Sequence, residues 1–137
     1  MANEAVIKVR TSDPIDFGIA DAQAVEKGAI CNMTDARNTS GANYTVTGEV
    51  FGGICAREKI ASDGRTQVAL YRGGIFDLTK ASGAAIVAGE WVTTSGANLI
   101  RTATEAEIAA GKSIGIAFET ATITGEEVIE VMVGGYN

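Results

Sequence analysis

The sequence predicts an all-β protein: a barrel or sandwich of short strands, built of two similar halves of roughly 60 residues each, with one short helix near residues 104–110. Three observations carry this. Apolar residues recur with period two in short runs rich in β-branched side chains, the pattern of half-buried strands. Glycine is frequent, at 17 residues against a single proline, and glycine supplies the backbone angles of tight turns. The chain also overlays on itself when slid by 61 positions.

Taken in order, residues 1–14 form an extended N-terminal arm. Ala5-Val6-Ile7-Lys8-Val9 is apolar and extended, and Thr11-Ser12-Asp13-Pro14 is a turn signal. The arm has two readings: a first strand on a sheet edge, or a segment that adds to a partner's sheet. Strands are expected at Ala29–Asn32, Tyr44–Val50, Gly53–Arg57, Glu90–Thr93 and Ile114–Glu119. Val68, Leu70 and Arg72 alternate with Gln67, Ala69 and Tyr71, and Ile129, Val131 and Val133 alternate with Val128, Glu130 and Met132. Both runs end on glycine pairs, Gly73-Gly74 and Gly134-Gly135. The helix is signalled by Thr104 and Glu107 at capping-box spacing, with Gly111 where a helix stops.

The overlay divides residues 15–137, read as a single β domain, into pseudo-repeats at about 15–74 and 76–135. Asp16 falls on Asp77, Ala24 on Ala85, Gly28 on Gly89, Val25 on Ile86, Ile30 on Trp91 and Cys31 on Val92. Val68 and Leu70 fall on Ile129 and Val131. The apolar register matters more than the identities, because a slip of one residue turns a strand inside out. The middle needs gaps: TSGAN occurs at 39–43 and 94–98, an offset of 55, and Gly53-Ile54 matches Gly115-Ile116 at 62.

Composition excludes several classes. The 137 residues suffice to bury a core without disulfide or metal staples. Eleven basic and 17 acidic residues leave a net charge of −6, with no basic run, which argues against nucleic acid as a partner. No stretch approaches the roughly 18 consecutive apolar residues of a membrane span, so no membrane partner is expected. The N-terminal sequence lacks a secretory signal, so the protein is expected to stay where it is made.

No catalytic constellation is visible. Histidine is absent, which removes the usual nucleophile–base arrangements. The carboxylates Glu105, Glu107, Glu126 and Glu127 read as solvated faces. GEVFGG and YRGG lack the lysine and helix of a phosphate loop, and AGKS at 110–113 sits at a helix end. Asp13, Asp16 and Asp21 do not match a calcium loop. Cys31 and Cys55 without histidine do not make a usual zinc site and read as small buried side chains. Trp91 reads as core, with an interface anchor as the other reading. Catalytic, cofactor and metal residues are therefore none, and no cofactor is expected.

Residues 68–92, VALYRGGIFDLTKASGAAIVAGEWV, carry a resemblance. A strand (Val68–Tyr71), a G-x-F-x-L step (Gly74–Leu78), a K-A-S-G-A-A stretch (80–85) and a G-x-x-V strand (Gly89–Val92) follow one another. With Gly115-Ile116-Ala117 in the closing strands, the chain resembles the capsid cement, or head decoration, proteins of tailed phages. The resemblance implies a compact β-barrel or β-tulip-like domain, and a non-enzymatic virion protein made in the host cytoplasm. It implies binding to the outside of the major capsid protein lattice, commonly as a homotrimer, and stabilising the head. The alternative is another virion β domain: a tail-tube, head-completion or fibre-associated protein. Under this reading the arm residues Val6, Ile7 and Val9 are the candidate capsid contacts. Deleting residues 1–10 is then expected to abolish capsid binding and leave the fold intact.

Overall fold

The computed structural model describes residues 3–41, 49–83, 85–122 and 124–134. Its strands are β1 (Val6–Val9), β2 (Ile15–Gly18), β3 (Ile30–Asn32), β4 (Phe51–Cys55), β5 (Gln67–Tyr71), β6 (Gly74–Lys80), β7 (Trp91–Thr94), β8 (Leu99–Thr102), β9 (Gly115–Ala117) and β10 (Glu127–Val133). One short helix, α1 (Glu105–Ala109), lies between β8 and β9. The expected Tyr44–Val50 strand falls largely on residues 42–48, outside the described residues; Glu49 and Val50 are not in a strand. Gly74 opens β6 directly.

The second half is a closed five-stranded barrel. Its strands run β6-β10-β9-β7-β8, and β8 returns to pair with β6 in parallel, Thr79 with Leu99 and Lys80 with Ile100. Closure removes the sheet edges that would otherwise be exposed. The alternation read from the sequence fixes the inside: Ile129, Val131 and Val133 of β10 are buried, while Val128, Glu130 and Met132 face outward. Phe76 and Leu78 of β6 join them in the core.

The first half is a four-stranded sheet, β2-β5-β4-β3, over its own cluster of Phe17, Val25, Cys31, Cys55, Val68 and Leu70. Several of its pairings recur in the second half. Ile15 opposite Leu70 reappears as Phe76 opposite Val131, and Ile30 opposite Ile54 as Trp91 opposite Ile116. Ile54 opposite Tyr71 reappears as Ile116 opposite Met132. The bridge Val25–Lys59 returns as Ile86–Ala121, and the parallel bridge Gly18–Asn38 stands where Thr79–Leu99 closes the barrel. Asn38 is thus the counterpart of Leu99 at an offset of 61, which makes the TSGAN recurrence at 55 a coincidence of composition.

The two halves share one core. Ile30, Phe51 and Ile54, from the first half, pack in the same cluster as Phe76, Ile114 and Val133 of the barrel. The Asn98 side chain, in the turn between β7 and β8, accepts a hydrogen bond from the Ile30 amide at 2.9 Å. Gly134 lies so close to the first half that a Cβ there would stand 1.9 Å from the Arg72 carbonyl oxygen.

Two lysines are buried as loop clamps. The Lys59 ammonium donates to the carbonyls of Asp21, Gln23 and Ile60 at 2.8, 2.9 and 3.2 Å, with Asp63 3.3 Å away. Lys80 points into the barrel end and donates to the carbonyls of Ala81 and Gly125 at 2.9 and 2.8 Å. A buried cation is tolerable only when it is hydrogen-bonded in this way.

Candidate functional site

The arm is the first candidate, and the structure places it as an edge strand. β8 occupies the edge of β6 only at Thr79 and Lys80, which leaves Ile75–Asp77 with unpaired backbone groups. β1 fills that gap antiparallel, Val6 opposite Asp77 and Ile7 opposite Phe76, with a one-residue bulge at Lys8 before Val9 meets Ile75. Period two turns Val6 away from Ile7, and the bulge puts Val9 on the outward side with Val6. Ile7 turns inward and packs against the shared core, whereas Val6 and Val9 keep 59% and 48% of their surface exposed.

The arm also joins the two halves. The Ala5 amide donates to the Gly28 carbonyl at 2.8 Å, and Ala5 is buried. Gly28 sits at φ +87°, and a Cβ there would stand 2.4 Å from the Ala5 carbonyl oxygen. Glycine is needed for both reasons. The expectation that deleting residues 1–10 leaves the fold intact therefore changes. Removing them uncovers core around Ala5 and Ile7 and reopens the edge of β6.

The other candidate residues are engaged structurally. Cys31 and Cys55 are free thiols in the first-half core. Burial pushes both thiol pKa values up, that of Cys55 to about 11, so neither is a ready thiolate. Thr104 and Glu107 form a reciprocal capping box, and the Glu107 carboxylate also receives both Arg101 Nη atoms at 2.8 and 2.6 Å. Glu127 opens β10 opposite Lys80. Trp91 is half-buried on β7, where its counterpart Ile30 is fully buried. Among the described residues there is no cluster of carboxylates and thiols that could hold a metal ion.

One open groove of about 440 Å³ is lined by Ala24, Val25, Glu26, Glu58, Lys59 and Ile60. The Lys59 ammonium there is spent on carbonyls, so the groove brings no acid–base pair together. A second open groove of about 420 Å³ runs along the arm, lined by Glu4, Ala5, Val6, Ile7 and Lys27. The outer face of the barrel carries Phe118 and Val128 at 49% and 58% exposure, beside outward-facing Ile116 and Met132. The alternation in the sequence already sets Val128 and Met132 on the face opposite Ile129 and Val131. The pairing of β9 with β10 brings Ile116 beside Met132, and the Phe118 amide donates to the Glu130 carbonyl, which sets Phe118 next to Glu130.

The profile of the phage cement proteins matches residues 9–133. The chain belongs to the phage cement protein family. A search of the curated proteins finds no match. Membership makes this a capsid-stabilising protein associated with the virion capsid. The match covers both halves of this cement protein and begins at Val9, so Val6 and Ile7 lie ahead of it.

Proposed function

We propose that this cement protein binds the outer surface of the major capsid lattice as a homotrimer and performs no catalysis. The family match is the observation that carries the capsid role. The physical mechanism is bridging: each docked copy adds buried area across neighbouring capsid subunits. A trimer adds avidity, because its three contacts engage together. A closed barrel fused to a second sheet through one core suits a rigid bridge, which loses little entropy on docking. The net charge of −6 and the scattered basic residues support a protein partner over nucleic acid.

Within this reading Val6 and Val9 are the arm's contact residues, while Ile7 holds the arm in place. The test is stoichiometry in purified particles. A cement protein is present at a copy number comparable with that of the major capsid protein and is accessible to surface labelling on intact heads. A handful of copies confined to the tail or the portal region overturns the proposal and favours another virion β domain.

A further inference from the structure

We infer that the outward face of strands β6, β10 and β9, with Phe118 and Val128 at its centre, is the surface that docks on the capsid protein. This deepens the cement reading and rests on it.

The duplication supplies an internal control. Matched strands of the two halves pair their backbones alike, so matched positions show what the pairing itself accepts there. Phe118, whose amide donates to the Glu130 carbonyl, corresponds to Ala56, whose amide donates to the Ala69 carbonyl. Val128 corresponds to Gln67 at an offset of 61. The fold thus accepts a small and a polar residue at these places. In the second half the same places carry a phenylalanine and a valine that are about half exposed. Gathered on one face with Ile116 and Met132, exposed bulky apolar groups mark an interaction surface.

The neighbours repeat the asymmetry. Ile54 is buried in the shared core, and Tyr71 packs partly buried against it. Their counterparts Ile116 and Met132 stand side by side on the outer face, only partly covered. The face continues onto Val6 of the arm, through Asp77, which pairs with both Val6 and Glu130.

Charge selects the occupant. Two carboxylates, Asp77 and Glu130, sit opposite each other in the middle of this apolar face. Lys8 reaches Asp77 at 3.8 Å. A partner for it presents apolar side chains with at least one Lys or Arg. A second copy of this same face, which brings the same two carboxylates, is poorly suited to that. A capsid protein with a basic, apolar patch fits.

The test writes the first half into the second: Phe118→Ala with Val128→Gln, the residues already present at the matched positions. Binding to purified heads that lack the cement protein is measured alongside thermal unfolding and solution mass. The expected result is binding weakened at least about tenfold, with unfolding temperature and solution mass unchanged. Unchanged binding by the variant, with wild type binding normally, overturns this inference alone. A drop in solution mass overturns it in favour of a contact between copies. A wild type that fails to bind heads overturns the cement reading and this inference with it. Glu130→Lys, which reverses one central charge, is expected to weaken binding likewise; tighter binding contradicts the charge argument.

Discussion

Ile54→Ala tests whether the two halves form one cooperative unit. Ile54 belongs to the first half, yet it is 1% exposed inside the cluster that contains Phe76, Ile114 and Val133 of the barrel. Truncation removes three carbons from a packed site and leaves a cavity, a change that costs about 2–5 kcal/mol. For a chain of 137 residues the unfolding entropy is about 0.3 kcal/mol/K near the midpoint. The melting temperature should therefore fall by about 7–17 °C. Trp91 is the only tryptophan and lies in the barrel, so its fluorescence reports on the second half. Far-UV circular dichroism reports on both halves. The expected result is a single transition that moves down together in both probes. If circular dichroism shows an early partial transition while Trp91 fluorescence keeps the wild-type midpoint, the halves are independent and the shared-core argument fails.

Two further perturbations follow from the clamps and the cap. Lys59→Met leaves three carbonyls without their donor and Asp63 without its buried cation. A loss of about 3 kcal/mol is expected, seen in urea unfolding, and no loss means that the clamp adds nothing. Glu107→Gln tests a pH dependence. Hydrogen bonds from Arg101 hold the Glu107 carboxyl at about 2 against an ordinary value of 4.5. A lowered folded-state pKa contributes stability that is present above 4.5 and lost as pH falls through about 2. The melting-temperature gap between wild type and variant should be full at pH 7 and close toward pH 2; a constant gap contradicts the pairing.

The parts of the fold that were legible in the sequence are those where one face is buried and the other is not. β5 and β10 alternate cleanly, and α1 announces itself through Thr104 and Glu107. β2 and β8 are four-residue strands, too short to show a period. β6 hides for another reason. It directs Lys80 inward to hold a loop, and Thr79 on its other face is buried too, so polar residues stand where alternation demands apolar ones and where solvent is expected. The TSGAN match misled because small, turn-favouring residues recur by composition, whereas the offset of 61 follows side-chain facing. At the candidate surface, Val6 and Val9 were visible as an apolar arm, but their separation from Ile7 needed the pairing with β6. Val128 stood on the outward face by alternation, but nothing in the sequence distinguished Phe118 from core. Their meaning came from comparing matched positions in the two halves.

The central claim is that this protein strengthens a capsid from outside. The most direct measurement adds the purified protein back to heads that lack it and records the temperature at which the heads break open. The account predicts a saturable rise in that temperature, with three-fold-related density for the added protein on the outer shell. An unchanged rupture temperature at saturating protein, or density confined to the tail, contradicts it.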